Sequence, residues 1–440
     1  MQLFCDGFVF QVYAVSETPK QETKTMKKMT TKTIGLMVVL AGLLCSCQQQ
    51  NQQSSETQGA ECDAYWNVGD SLSDMKKLHQ WEAYVEEHPQ DEMGWRNLYH
   101  AKSMSTFYNR EQGYQQMMQE LMKRVKEAIP DTYTYYLLAM KTSYEYEKSK
   151  EYAEEALKRL PEKLYEGDYK IWCRYFLRED KDEKRLKDML TRYYQSGTLS
   201  PDVLYFHYNE MQGMEQGGIY LGQAEDDLIP KKMIQLVLGM HKDKVLVNRN
   251  GDWYKIWRAC KVPAPTGNWT AETKPTDDPS VSWHTPTLKI LAWIGEHSEH
   301  PVYYSASNLR EWLREKLPKE LLKNLYNEGL LIRYSPKPYD NIAVTCRNIE
   351  ERYSLDYLYL PFTPSKDSEK YYSDATGCTS QTIVLLQGIL PHYQQYDPQR
   401  CHWLSGVLLK AIENRRSNDY SENSLKEIRQ YYESTKSAAQ

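Results

Sequence analysis

The sequence predicts an α plus α/β protein: an N-terminal helical array, a small parallel-sheet domain, and helices again at the C-terminus. Three observations predict it. From about Leu72 to Met211, apolar and aromatic residues recur at helical spacing with few turn residues between them. From Gly217 to Tyr334, short runs of strand-forming residues alternate with helical stretches across short loops, the grammar of βαβ crossovers. From Cys346 onward helical spacing returns. A chain of 440 residues, 40% hydrophobic and 26% charged, can bury real cores in two or three domains.

The N-terminus speaks of export. Ile34 to Leu44 is an uncharged apolar run behind Lys27, Lys28 and Lys32, too short for a bilayer span of about 20 residues but suited to a signal-peptide core. The Cys45-Ser46-Cys47 that follows resembles the lipobox of bacterial lipoproteins, with Ser46 as the small residue before a lipid-bearing Cys47. Residues before Met26 read as an upstream extension. The Gln-rich stretch after Cys47 is a polar tether that cannot bury enough apolar surface to fold. Gln48 rather than Asp after the cysteine implies, by resemblance to the usual sorting rule, the outer membrane. Residues 1–46 hold five Lys and three acidic residues, so the remaining body carries 50 basic against 57 acidic residues, net −7. Such a body offers no electrostatic footprint for nucleic acid. The expected organisation is extension and signal 1–46, tether 47–64, helical array 65–215, α/β domain 216–340 and helical region 341–440.

Within the array the spacing predicts helices over Met75 to Glu87, Trp95 to Phe107, Glu111 to Glu127, Tyr133 to Leu160 with a break near Ser149, and Glu183 to Tyr194. Two places resemble tetratricopeptide repeats. His88-Pro89 closes a helix pair before Trp95 and Leu98, and Ala156 precedes Pro161 by five residues with Tyr133 and Tyr136 near the opening positions. A small Ala lets two helices approach, aromatic rings fill the groove, and Pro ends the second helix. Tyr99 and Tyr84 depart from the repeat, standing where Gly and Ala are usual.

In the α/β region the expected order is strand 217–222, helix 229–240, strand 244–248, helix 252–259, a Pro- and Asp-rich loop 262–286, helix 287–296, strand 302–305, helix 309–316 and strand 329–334. This implies a Rossmann-like parallel sheet. The succession IYLGQAEDD, DKVLVNRNGDWY, HPVYYS and EGLLIRYSP resembles the soluble C-terminal part of a bacterial family of multi-spanning membrane proteins. That family is described as glycosyltransferases and is related to an animal O-mannosyltransferase. The resemblance covers roughly residues 217–340. The family's Gly-Asp-Asn-Asp turn is here Gln223-Ala224-Glu225-Asp226-Asp227, and its catalytic membrane part has no counterpart, so the resemblance implies no transferase activity for this chain.

The C-terminal third predicts helices over 346–357, 381–395, 400–414 and 424–435. Beyond Cys5, Cys45 and Cys47, six cysteines remain: Cys62, Cys173, Cys260, Cys346, Cys378 and Cys401. Export permits disulfides, with a bridge from Cys378 to Cys346 or Cys401 as one expectation.

Candidate binding residues follow from position. Asp226 and Asp227 lie just beyond the first strand, at the carboxyl edge where open α/β sheets bind ligands, and Asp252 and Trp253 follow the second strand. Carboxylates there could hold a divalent ion or a sugar hydroxyl; a helix N-terminal acidic cluster accounts for them equally well. Glu296-His297-Ser298-Glu299-His300 has metal-ligand residue types, yet sits where polar groups end a helix, so metal ligation is not expected. Cys378 beside Gly377 near a helix start could be a nucleophile, but no His and Asn partners are evident. Asp70-Ser71-Leu72 resembles a short acceptor sequence for periplasmic O-glycosylation at Ser71.

With 36 Tyr and 11 Trp against seven Phe, the chain favours rings with polar tips, suited to sugars, interfaces and repeat grooves. No nucleophile elbow, zinc-protease helix, phosphate loop or dinucleotide fingerprint occurs, and no cofactor is implied. The expected function is an envelope lipoprotein that binds or scaffolds a protein or glycan partner, anchored to the membrane through the lipid on Cys47. The alternative is an enzyme or accessory subunit of envelope glycan assembly using the acidic site.

Overall fold

The computed structural model describes residues 71–107, 113–165, 167–179, 182–249, 253–266, 284–309, 311–362, 374–415 and 422–439. Cys47, Cys62, Asp252, the signal and the tether lie outside them. The chain divides into two compact units between Lys163 and Leu164. The sequence sets this boundary near residue 215. Helices 168–213 group with the sheet, because each packs on the sheet's first crossover helix and Phe206 joins the sheet's core.

The described part of the first unit is helical: α1 Ser71–Glu87, α2 Glu92–Phe107, α3 Tyr114–Ala128, α4 Tyr133–Thr142 and α5 Tyr146–Lys158. α1 packs on α2, and α4 on α5, across short connections. Its core joins Val85, Leu98, Leu121, Val125 and Leu138. Ala153 and Ala156 are completely buried in α5, which permits close helix approach. The break expected near Ser149 falls at Ser143–Glu145. Ser149 lies inside α5 and its hydroxyl donates to the Met140 carbonyl (3.0 Å), satisfying an open acceptor at the end of α4.

The second unit opens with α6 Asp168–Glu179, α7 Glu183–Gln195 and α8 Pro201–Gly213. Asp182 caps α7 by accepting from the Arg185 N–H (2.9 Å), and Ser200 caps α8, which has Pro201 in its first turn. Then come β1 Ile219–Gly222, α9 Glu225–Leu236, β2 Val245–Asn248, α10 Trp253–Cys260, α11 His284–His297 and β3 Val302–Ser305. A 3₁₀ turn Ala306–Asn308, α12 Glu311–Arg314 and α13 Lys319–Leu322 lead to β4 Leu325–Asn327 and β5 Leu331–Tyr334. The rest is α14 Asn341–Arg347, a π turn Asn348–Arg352, a 3₁₀ turn Asp356–Tyr359, α15 Asp374–Gln387, α16 Leu390–Tyr396, α17 Pro398–Arg415 and α18 Glu422–Ser434. Among the described residues, no helix is long and apolar enough to cross a membrane.

The sheet has the order β2-β1-β3-β5-β4. β1 runs parallel to β2, with Ile219 opposite Val245, and parallel to β3, with Ile219 opposite Val302. β5 is antiparallel to both β3 and β4, so the sheet is mixed rather than parallel. The reason lies at Glu328–Leu330, where Gly329 takes φ +91° and turns β4 straight back into β5. Gly329 and Leu330 are therefore a hairpin turn and not the start of a strand. β1 and β3 are buried along their whole lengths, and their side chains alternate between two cores. Ile219, Leu221, Val302 and Tyr304 face one, with Ile290 and Ile294 of α11. Tyr220 and Tyr303 face the other, with Leu228 of α9.

Other departures have local causes. α9 begins at Glu225 and ends at Leu236, four residues earlier at each end than expected, and the chain turns away at Gly239 with φ +72°. The helix expected over 309–316 shrinks to one turn. The helix expected over 346–357 widens at Asn348, whose Nδ2 donates to the Glu328 carbonyl (3.0 Å), and ends where the Tyr353 hydroxyl bonds the hairpin turn. The helix expected over 381–395 is interrupted before Pro391, which cannot continue the backbone ladder. Cys378 is not bridged: none of Cys173, Cys260, Cys346, Cys378 and Cys401 forms a disulfide, and the Cys401 thiol instead meets the Leu390 carbonyl at 3.6 Å.

Candidate functional site

Three elements of the second unit converge below one cleft. On α8, His207 and Glu210 are three residues apart and share a face; on α9, Asp227 and Lys231 are four apart and do likewise. β1 contributes Tyr220 from the sheet face that α9 covers. At the centre lies the Lys231 ammonium, 2.6 Å from Glu210 Oε2, 2.7 Å from Asp227 Oδ1 and 2.8 Å from His207 Nδ1. His207 Nδ1 is also 2.8 Å from Glu210 Oε2. The Tyr220 hydroxyl donates to Asp227 (2.8 Å), the Gln223 N–H donates to its other oxygen (3.2 Å), and the ammonium rests 4.0 Å from the Tyr220 ring centre.

Lys231, Glu210 and Tyr220 are wholly buried, so the Lys231 charge is held by the Glu210 and Asp227 carboxylates. Burial pushes the Glu210 carboxyl up, but the Lys231 ammonium and the His207 hydrogen bond outweigh it and hold it down at about 2. Burial likewise disfavours the Lys231 cation, and Asp227 and Glu210 reverse this, raising it above the ordinary lysine value. Burial and then Asp227 push the Tyr220 phenol well up, so it stays a donor.

A hydroxyl pair links this cluster to the surface. The Ser305 hydroxyl donates to Glu210 Oε1 (2.5 Å) and lies 2.8 Å from the Ser307 hydroxyl. Because Ser305 spends its proton on a carboxylate, Ser307 must be the donor between them. Above lies a cleft of about 260 Å³, whose lining includes Lys170, His207, Asp226, Ser307, Asn308 and Gln381. Its position follows from topology. After β1 the chain leaves toward β2 on one flank, after β3 it leaves toward β5 and β4 on the other, and the cleft opens at the carboxyl ends of these two strands. That divergence is where open α/β sheets form a crevice.

Asp226 and Asp227 thus both reach the cleft, in the first turn of α9. Both are already compensated. Asp226 takes a two-pronged contact from Arg174 and lies 3.6 Å from the Lys170 ammonium; burial raises its carboxyl, and these cations win and lower it. Asp227 belongs to the buried cluster. Trp253 opens α10 after β2, with its side chain outside the described set, as is that of Ser71 at the start of α1. The Glu296–His300 segment does not converge: the Tyr334 hydroxyl donates to Glu296 (2.7 Å), while His297 stacks on Trp293. Cys378 lines the cleft on α15.

Among the described residues, the one group with metal-ligating types in reach of each other is His207, Glu210 and Asp227, with ligand atoms within 4.8 Å. The Lys231 ammonium stands among those three atoms and serves as their cation. Sequence reasoning missed His207, Glu210 and Lys231. Their only signal is the pair of helical spacings, His207 to Glu210 and Asp227 to Lys231, which exposed polar faces also show.

No family model matches this chain, and no curated protein matches it.

Proposed function

We propose that this chain is an envelope lipoprotein, anchored through Cys47 at the outer membrane, whose second unit binds a glycan segment in the cleft at the carboxyl ends of β1 and β3. The cleft carries the reading. It is a cleft at the strand ends where α/β sheets take ligands, and its volume of about 260 Å³, just under the usual small-ligand range, leaves room for a single small ring rather than a protein surface. Binding is favoured over catalysis because Asp226 and Asp227 are already neutralised by Arg174, Lys170 and Lys231, leaving no open carboxylate pair for an ion. The 2-1-3 order of the parallel strands supports a Rossmann-like reading of the sheet. Buried Trp95, Leu98 and Ala156 support a tetratricopeptide-like reading of the helical array, which would offer a protein partner a second surface.

Two measurements test this. Native mass spectrometry of the full chain with glycans released from the envelope is expected to give a bound species that Ser307→Trp abolishes by filling the cleft; binding that persists in the variant sinks the cleft assignment. Cys47→Ala is expected to move the protein out of the membrane fraction, and unchanged partitioning with retained lipid label refutes the anchor.

A further inference from the structure

Resting on the binding reading above, we infer that the ligand of this cleft is an uncharged, hydroxyl-rich sugar held by Asn308, Gln381, Ser307 and His207. The charges around the cleft are balanced before any ligand arrives. Lys170, Arg174 and Lys231 stand against Asp226, Asp227 and Glu210 in direct contacts, so a charged ligand would have to break an existing pair or remain uncompensated.

The open amides and hydroxyl are neutral. The side-chain amides of Asn308 and Gln381 line the cleft and make no hydrogen bond among the described residues, and each offers donors and an acceptor. Ser307 gives its proton to Ser305, so its oxygen is left to accept. His207 is fixed through Nδ1 by Lys231 and Glu210, which leaves Nε2 as its second polar atom in a residue that lines the cleft. Nε2 either donates or accepts, according to which neighbour holds the Nδ1 hydrogen bond. A sugar hydroxyl both donates and accepts, and satisfies either form. Phe206 and Tyr193 add apolar lining against which a ring can lie.

Cys378 supplies an independent readout, since it lines the cleft, is not fully buried and forms no disulfide. Full-length protein is titrated with the methyl glycosides of glucose, galactose and mannose, and in parallel with glucuronate, galacturonate and glucosamine. Binding is measured by calorimetry and by protection of Cys378 from N-ethylmaleimide, with Cys346, half-buried on α14, as the internal reference. At least one neutral glycoside is expected to protect Cys378 and to bind roughly tenfold more tightly than its charged counterpart, the cost of one unpaired polar interaction. Asn308→Ala and Gln381→Ala are each expected to weaken it by about fivefold to tenfold with unchanged circular dichroism. Tighter binding of a charged sugar with protection of Cys378 overturns this inference and leaves the binding reading standing. Absence of protection by every sugar overturns both.

Discussion

The Lys231 ammonium lies 2.6 Å from the Glu210 carboxylate, and neither side chain has any exposure to solvent. With Asp227 and His207 it forms an ionic knot between α8 and α9, so the two helices are joined by electrostatics as well as by packing. Removing one charge leaves the others buried and uncompensated. Lys231→Met, close in volume, is expected to lower unfolding free energy by about 3–5 kcal/mol in chemical denaturation. A loss under about 1 kcal/mol would mean that the knot is solvated.

Truncation should expose a latent property of the same group. With Lys231→Ala the ammonium is gone and His207, Glu210 and Asp227 remain within reach of one another. Zn²⁺ accepts this ligand set. Micromolar Zn²⁺ is therefore expected to raise the melting temperature of Lys231→Ala and not that of the parent; equal responses from both proteins would count against the cluster geometry.

The acid dependence has a definite sign. Glu210 is held at about 2 when folded against 4.5 ordinarily, so its contribution is complete above 4.5 and is lost as pH falls from there toward 2. Lys231 is raised above 10.5, so its contribution is complete below that value and is lost as pH rises through its folded pKa. Stability should be flat between these limits as far as this pair is concerned. Glu210→Gln should flatten the acid limb in a melting series from pH 7 to pH 3, and an unaltered limb would contradict the assignment.

Gly222 ends β1 where α9 passes closest. A Cβ there would meet Leu228 Cδ2 at 2.6 Å and Cγ at 2.7 Å, so Gly222→Ala must displace the Leu228 side chain in the first turn of α9. Overpacking of this kind costs about 1–3 kcal/mol. Because Asp227 is the neighbour of Leu228, the variant should also lose glycan affinity, whereas Gly377→Ala, with open space at its Cβ, should leave stability unchanged.

Asp226 separates the binding reading from a catalytic one. Its side chain is 39% exposed, so the pairs with Arg174 and Lys170 are screened and Asp226→Ala should cost about 1 kcal/mol or less. Loss of a metal-dependent activity in that variant would favour an enzyme.

The sheet and the site were legible to different degrees, for physical reasons. Ile219–Gly222, Val245–Asn248 and Val302–Ser305 read as strands because each is a compact run of β-formers bounded by polar or turn residues. β4 escaped notice because three residues, Leu325–Asn327, carry no measurable alternation. Asp226 and Asp227 were findable because strand ends are where α/β ligands bind. The rest of the cluster was not, because Lys231 and Glu210 look like ordinary polar helix positions until α8 and α9 meet over Tyr220. Neither helix knows from its own sequence that its polar face will be sealed.

The five described cysteines, none in a disulfide, set a condition on how the body matures. Cys173, Cys260 and Cys401 are buried in separate helices, and Cys346 and Cys378 form no disulfide. As far as its described cysteines go, the fold needs neither an oxidant nor a disulfide isomerase to reach its native state. If the chain is exported as proposed, its described thiols are exposed to wrong pairing only while the chain is still open.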